Sequence, residues 1–200
     1  MTPQTINAYY NPTANEIVFP AAILQAPFYD YKASKAKNYG GIGAVIGHEI
    51  THAFDDEGSK FDETGNLKDW WTRNDRKNYE KRTEALAKQY SRYKAGDSKI
   101  NGKLTLGENI ADLGGVSVAL EIVKNENSDN LGEFFEAYAV IWRNLVTKER
   151  ESYLIKIDPH SPGRYRVNGI LTNIDDFYKV YNVKSGDGMY TKPEDRIRIW

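Results

Sequence analysis

The chain of 200 residues contains no cysteine, which excludes disulfide staples and thiolate metal sites. Any transition metal here must be held by histidine and carboxylate, and histidine itself is scarce, with three in the whole chain. No apolar run reaches the length needed to cross a bilayer, so no membrane segment is expected. There is no large charge of one sign: 27 basic against 28 acidic residues leave a net charge of -1, which argues against a nucleic-acid partner gripping phosphate along the whole surface. The absence of cysteine suits a reducing cytoplasm, and it is also compatible with export, because many bacterial exported proteins lack cysteine too. No signal peptide opens the chain. It runs from Met1-Thr2-Pro3 directly into a strand-like pattern, so the expectation is that the natural N-terminus lies upstream.

What is present is ordinary for a soluble domain: 40% hydrophobic and 28% charged residues, with 14 tyrosines. One local bias stands out from that balance. Between Lys68 and Lys103, 11 basic residues face 5 acidic ones. A solvated helix face explains this, and a docking surface for an acidic neighbour is the alternative.

Short β-prone runs at 6–10 and 16–19, separated by Asn11-Pro12 and Ala14-Asn15, predict a hairpin. Helices are expected over 40–54, 74–93, 106–123, 131–145, 148–156 and 175–181, from apolar residues recurring at helical spacing. Residues 20–28 are read as a short helix or loop, 95–103 as a polar connector, and Asp158 to Gly163 as a tight loop. Gly40, Gly41, Gly43 and Gly47 each cost about 1 kcal/mol of helix propensity against alanine, and a helix that carries them implies close packing along that side. The predicted class is α+β and mainly α.

Residues 48–52 read His-Glu-Ile-Thr-His. Histidines at i and i+4 share one helix face, so both imidazoles can meet one zinc ion. Glu49, rotated away from that face, can reach a water beside the metal and act as its base. Chance alone yields this pattern roughly once in 300 chains of this composition and predicts no further ligand. A second pair follows, Glu108 and Asp112, again at i and i+4, in a helix with Gly114 and Gly115. Glu108 would complete a His-His-Glu set with one position open, as catalytic zinc requires. Asp112 would accept a hydrogen bond from a ligand histidine and fix its tautomer. Asp55 is a second brace of that kind, or a plain helix-end carboxylate. His160, in the Pro/Gly loop, is a candidate donor for a developing oxyanion, and Arg166 a candidate planar fork for a carbonyl or carboxylate.

At these residues the chain resembles the neprilysin family of zinc metallopeptidases, its bacterial members most, and specifically their C-terminal catalytic part. The matching pieces run in order along the chain: Asn7-Ala8-Tyr9-Tyr10, Ile17 to Ala21, Gly47 to Asp55, Gly107 to Asp112, His160-Ser161-Pro162-Gly163 with Arg166, and the terminal Trp200. The resemblance implies a thermolysin-like (gluzincin) fold with a short edge β-hairpin and one Zn2+ per chain on His48, His52 and Glu108. It implies Glu49 as catalytic base, Asp112 behind the metal, and His160 as the group that stabilises the transition state. Asn7, Ala8 and Arg166 would hold the substrate backbone, with Asn7 and Ala8 on an edge strand to which substrate adds. Ile23, Phe28, Val45, Ile141 and Trp142 would line the apolar pocket for the residue after the cleaved bond, or serve as core. The implied activity is endopeptidase cleavage of small peptides. Ile197 stands where animal members carry a cysteine, which favours a bacterial, unanchored protein. The family's large N-terminal helical region is missing, so residues 1–200 are expected to be one C-terminal catalytic domain whose partner is that region. An aminopeptidase, a binding module with an inherited metal site, and a metal-free helical domain are the rival readings. The first needs an acidic amine site not found in the chain, the second has no use for Glu49, and bound zinc would exclude the third.

Overall fold

The computed structural model describes residues 1–126 and 130–200. Two compact units are present, residues 1–69 with 111–141 and residues 70–110 with 142–200.

The first unit opens with an antiparallel hairpin, β1 (Tyr9–Asn11) and β2 (Glu16–Val18), with Tyr9 opposite Val18 and Asn11 opposite Glu16. Asn15 turns the chain at φ 48°, a left-handed conformation that asparagine tolerates. A 3-10 turn at Ala21–Ile23 buries Ile23. Helix α1 (Lys35–Asn38) starts at Ser34, whose hydroxyl accepts from the Lys37 amide. It runs through a π-helical stretch, Tyr39–Gly43, into α2 (Ala44–Thr51) and a last 3-10 turn, His52–Phe54. The single helix expected over 40–54 is therefore continuous but changes pitch twice.

In the second unit α3 (Arg73–Tyr90) is capped by Thr72, whose hydroxyl accepts from the Asp75 amide. It buries Tyr79, Leu86 and Tyr90, which recur along one side of the helix. The connector after it forms a minimal antiparallel ladder, β3 (Lys94–Ala95) with β4 (Ser98–Lys99). Helix α4 (Leu106–Asn125) runs from the second unit into the first. In the first unit α5 (Leu131–Ile141) buries Phe134, Phe135, Tyr138 and Ile141. It stops four residues before the expected end: Leu145 lies past the helix and is fully exposed.

The second unit resumes with α6 (Lys148–Ile157), capped by Thr147, then α7 (Gly163–Leu171) and α8 (Asp175–Tyr181). Helix α7 was not expected. Pro162 and Gly163 read as loop residues, yet proline at a helix entrance supplies the right φ and lacks only an amide that would be unbonded there anyway; its carbonyl accepts from the Tyr165 and Arg166 amides. No helix among the described residues is long and apolar enough to cross a membrane.

The hydrophobic spacing of α2 also hides which side is buried. Ile42 and Val45 are buried, but Ile46 and Ile50 are 39% and 49% exposed. The buried side is the one bearing Gly47, His48 and Thr51. It lies against α4 through bare backbone: a Cβ on Gly47 would sit 2.9 Å from the Cα of Gly115, and one on Gly115 would sit 2.6 Å from the amide nitrogen of His48. Any side chain at either position would force the helices apart, which is why glycine stands there despite its helix cost.

Candidate metal centre

That close approach brings a polar group into a buried setting. His48 and Glu49 are 7% and 4% exposed. Nδ1 of His48 lies 2.8 Å from Oδ1 of Asp112, itself buried on α4. One turn on, Nδ1 of His52 lies 2.6 Å from Oδ2 of Asp55. The other oxygen of Asp55 accepts from the amides of Glu57 at 2.8 Å and Gly58 at 2.6 Å, so the chain's own turn fixes the brace. The two imidazoles meet edge to face, with centroids 4.5 Å apart.

A carboxylate beside Nδ1 demands that nitrogen as the N–H, which leaves the lone pair on Nε2, the tautomer a metal ligand needs. Donor atoms of His48, Glu49 and His52 lie within 4.8 Å of one another. Two neutral imidazoles and a carboxylate suit a divalent transition ion, and the residues present fit one.

In the second unit, Glu108 lies 3.3 Å from Nε2 of His160 and 3.4 Å from Nη2 of Arg166. His160 is half-exposed, and Asp158 holds both its Nδ1, at 2.7 Å, and its backbone amide, at 2.9 Å. Arg166 is buried on α7, its guanidinium carbon 3.6 Å from the ring centroid of Trp142, a cation–π stack that sets the plane of the fork. Asn109 and Ser161 tie the helix to the histidine loop: Ser161 Oγ donates to Oδ1 of Asn109 at 2.8 Å. Within the second unit Glu108, His160 and Arg166 lie together, and within the first unit His48 lies on Asp112 and His52 on Asp55, with Glu49 between the two histidines.

Asn7 and Ala8 immediately precede β1, Asn7 exposed and Ala8 buried; β1 and β2 form a two-stranded sheet. Ile23, Val45 and Ile141 are buried and Phe28 and Trp142 half-buried, a burial that core residues and pocket walls share. Sequence reasoning missed Asp158, Asn109 and the stacking role of Trp142. Asp158 had a signal, an aspartate two residues before a histidine, the spacing at which its carboxylate folds back on the chain. The other two have none, because they act across the fold.

Carboxylate-braced histidines on a glycine-packed helix pair define a metal-binding helix of the His-Glu-x-x-His class. The model of peptidase family M13 matches residues 7–197, and the chain belongs to that family, in agreement with its neprilysin-like resemblance. The chain is 45% identical over its full length to a neutral endopeptidase of Lactococcus lactis, of which it spans 32%. It is 48% identical, over 97% of its length, to a neutral endopeptidase of Lactobacillus helveticus, of which it spans 30%. Among solved structures it superposes with a TM-score of 0.95 and 47% identity on the Mycobacterium tuberculosis zinc metalloprotease Zmp1 in complex with an inhibitor, covering all of this chain and 33% of that one. These matches bear out the mainly helical zinc-peptidase fold. The chain spans about a third of the length of these relatives.

Proposed function

We propose that the chain carries the catalytic centre of a zinc endopeptidase that cleaves small peptides by water attack. The observation that carries this reading is the pair of histidines, His48 and His52, each with Nδ1 on a carboxylate, flanking the buried Glu49. A structural site would not need that glutamate. The ligands of one Zn2+ per chain would be His48, His52 and Glu108, the last one helical turn before Asp112 on α4. Zinc bound there would supply Lewis acidity and bring the pKa of its water towards ~7.

The chain's own residues do the rest. Glu49 takes the proton of the attacking water on its carboxylate and delivers it to the leaving amine. Burial keeps that carboxylate away from bulk solvent, so the proton is passed on locally. Asp112 and Asp55 hold the two imidazoles in the metal-binding tautomer. His160 in its imidazolium form, with Nδ1–H held on Asp158, would offer Nε2–H to the carbonyl oxygen as charge develops. Arg166, locked on Trp142, binds a backbone carbonyl or carboxylate with two parallel N–H groups. Asn7 and Ala8 would hold the extended substrate, and Ile23, Phe28, Val45, Ile141 and Trp142 would select an apolar residue after the cleaved bond. The region that the relatives have beyond this chain is the proposed partner that completes the substrate site.

Zinc content and cleavage of a short quenched peptide test the reading together. Glu49→Gln should cut turnover at least a hundredfold while one zinc per chain remains. Turnover unchanged in Glu49→Gln would falsify the mechanism, and a chain that takes up no zinc would remove its foundation.

A further inference from the structure

Outside the metal centre, the second unit contains an open groove of about 1180 Å³ between α3 and the segment from Tyr190 to Arg198. Seven basic and two acidic side chains line it. Lys81, Lys88 and Arg92 stand at i, i+7 and i+11 along one side of α3 and the turn after it, and that spacing keeps them in one row. Lys192 and Arg198 line the opposite wall together with Arg196, whose guanidinium is buried on the Tyr178 ring and Asp175. Of the basic residues noted between Lys68 and Lys103, Lys81, Arg82, Lys88 and Arg92 line this groove.

Much of that charge is not neutralised within the chain. Lys88 pairs with Glu84 at 2.8 Å, an exposed helix pair worth a few tenths of a kcal/mol. Arg196 and Arg198 share the single carboxylate of Asp175. Lys81, Arg92 and Lys192 have no carboxylate partner among the described residues. The walls are held rigidly: Arg82 Nη1 donates to the Ile199 carbonyl at 2.7 Å, Ile197 N to Oδ1 of Asn173 at 2.9 Å, and Arg196 Nε to the Thr191 carbonyl at 3.1 Å. Like charges held close on fixed walls cost stability unless an anion joins them.

The layout selects the kind of anion. A single phosphate is bound by donors converging on a helix N-terminus or an amide nest. Here the cations are strung out over a row on the order of 15 Å along α3 and the turn after it. Asn78, Ser185 and Thr191 add uncharged hydrogen-bonding groups between the charges, which suits a peptide backbone. An extended chain covers that row with about five residues. We propose that this groove is a docking site for an acidic peptide segment, apart from the metal centre and independent of its chemistry.

The test is anisotropy titration of a fluorescein-labelled hexaglutamate peptide against the whole chain, in a Glu49→Gln background so that the probe stays intact. Binding should weaken about tenfold between 20 and 200 mM salt. The triple reversal Lys81→Glu, Lys88→Glu, Arg92→Glu should weaken it at least tenfold. Lys192→Glu, on the opposite wall, should weaken it about threefold and decides the matter if the triple variant fails to fold. Reversal of Lys148 and Lys156 on α6 should leave binding unchanged. Affinity unaltered in both groove variants overturns the proposal, as does no binding at 1 mM peptide in 20 mM salt. Displacement of the probe by tripolyphosphate at lower concentration than by unlabelled hexaglutamate overturns it too, in favour of a compact anion site.

Discussion

Two helix contacts in this protein are built on opposite plans. Where α2 meets α4 in the first unit, the interface is glycine backbone, Gly47 on Gly115, with Gly114 against the side chain of Thr51. The residues buried around it are largely polar: His48, Glu49, Thr51 and Asp112. In the second unit α3 packs through bulk. Leu86 and Tyr90 are fully buried, Tyr79 stacks between Trp71 and Trp200, and Tyr90 donates to the Tyr165 carbonyl at 3.0 Å. The first plan sacrifices apolar contact area to bring two backbones together and set polar side chains at fixed distances. The second gains stability by removing large apolar surfaces from water. One contact positions chemistry and the other supplies folding free energy.

The comparison breaks most sharply at its two centres. Gly115→Ala places a methyl 2.5 Å from the Ala44 carbonyl oxygen and 2.6 Å from the His48 amide, both backbone atoms that cannot rotate away. It should cost about 3 kcal/mol or more in urea unfolding and abolish stoichiometric zinc uptake with it. Leu86→Ala leaves a cavity in the apolar contact and should cost about 3 kcal/mol, yet the zinc content of the folded chain should not change. Equal loss of zinc in both variants would show that the two contacts do not divide the work as described.

Asp112→Asn sharpens the same division with a smaller effect. The amide is nearly isosteric, but it no longer demands an N–H on Nδ1 of His48, so the ligand tautomer is no longer fixed. Zinc affinity should fall ten- to a hundredfold by competition with a chelating indicator, while the melting point of the metal-free chain stays within a few degrees. An affinity unchanged to within twofold would deny Asp112 its positioning role.

The division was only partly legible in the sequence. The histidine pair, the Glu108 and Asp112 pair and the run of glycines are local patterns at helical spacing, so helix, face and close packing could all be read from them. The phase of α2 could not. Ile46 and Ile50 carry the hydrophobic signal, but the polar side is the buried one, because two carboxylates and a partner helix far along the chain satisfy the histidines there. Periodicity reports a face and not which face is covered. Helix α7 was missed because Pro162-Gly163 serves equally as a loop and as a helix entrance, and the difference lies in hydrogen bonds made only after folding. Leu145 carries an apolar residue on past the end of α5, and it was the chain's turn after Ile141, not hydrophobicity, that ended the helix.

The smallest expected effect lies at the edge of the polar contact, at Asp56. Burial, and then the charge of Asp55, push its carboxyl up to about 6, and its Oδ1 is buried without a hydrogen-bond partner. The folded chain therefore resists ionising Asp56, while the unfolded chain ionises it near the ordinary value of 3.8. Below about pH 4 the group is protonated in both states and costs nothing. Between about 4 and 6 stability falls as pH rises, and above 6 the penalty is constant. The full shift of about two units corresponds to roughly 3 kcal/mol; because the side chain is partly open to solvent, screening reduces this to about 1 kcal/mol. Asp56→Asn removes the penalty. Measured in EDTA, so that no bound cation adds to the field, it should raise stability by about 1 kcal/mol at pH 8 and make no difference at pH 4. A gain of the same size at both pH values would place the cost of Asp56 in its shape rather than its charge, and would remove it from the polar side of the comparison.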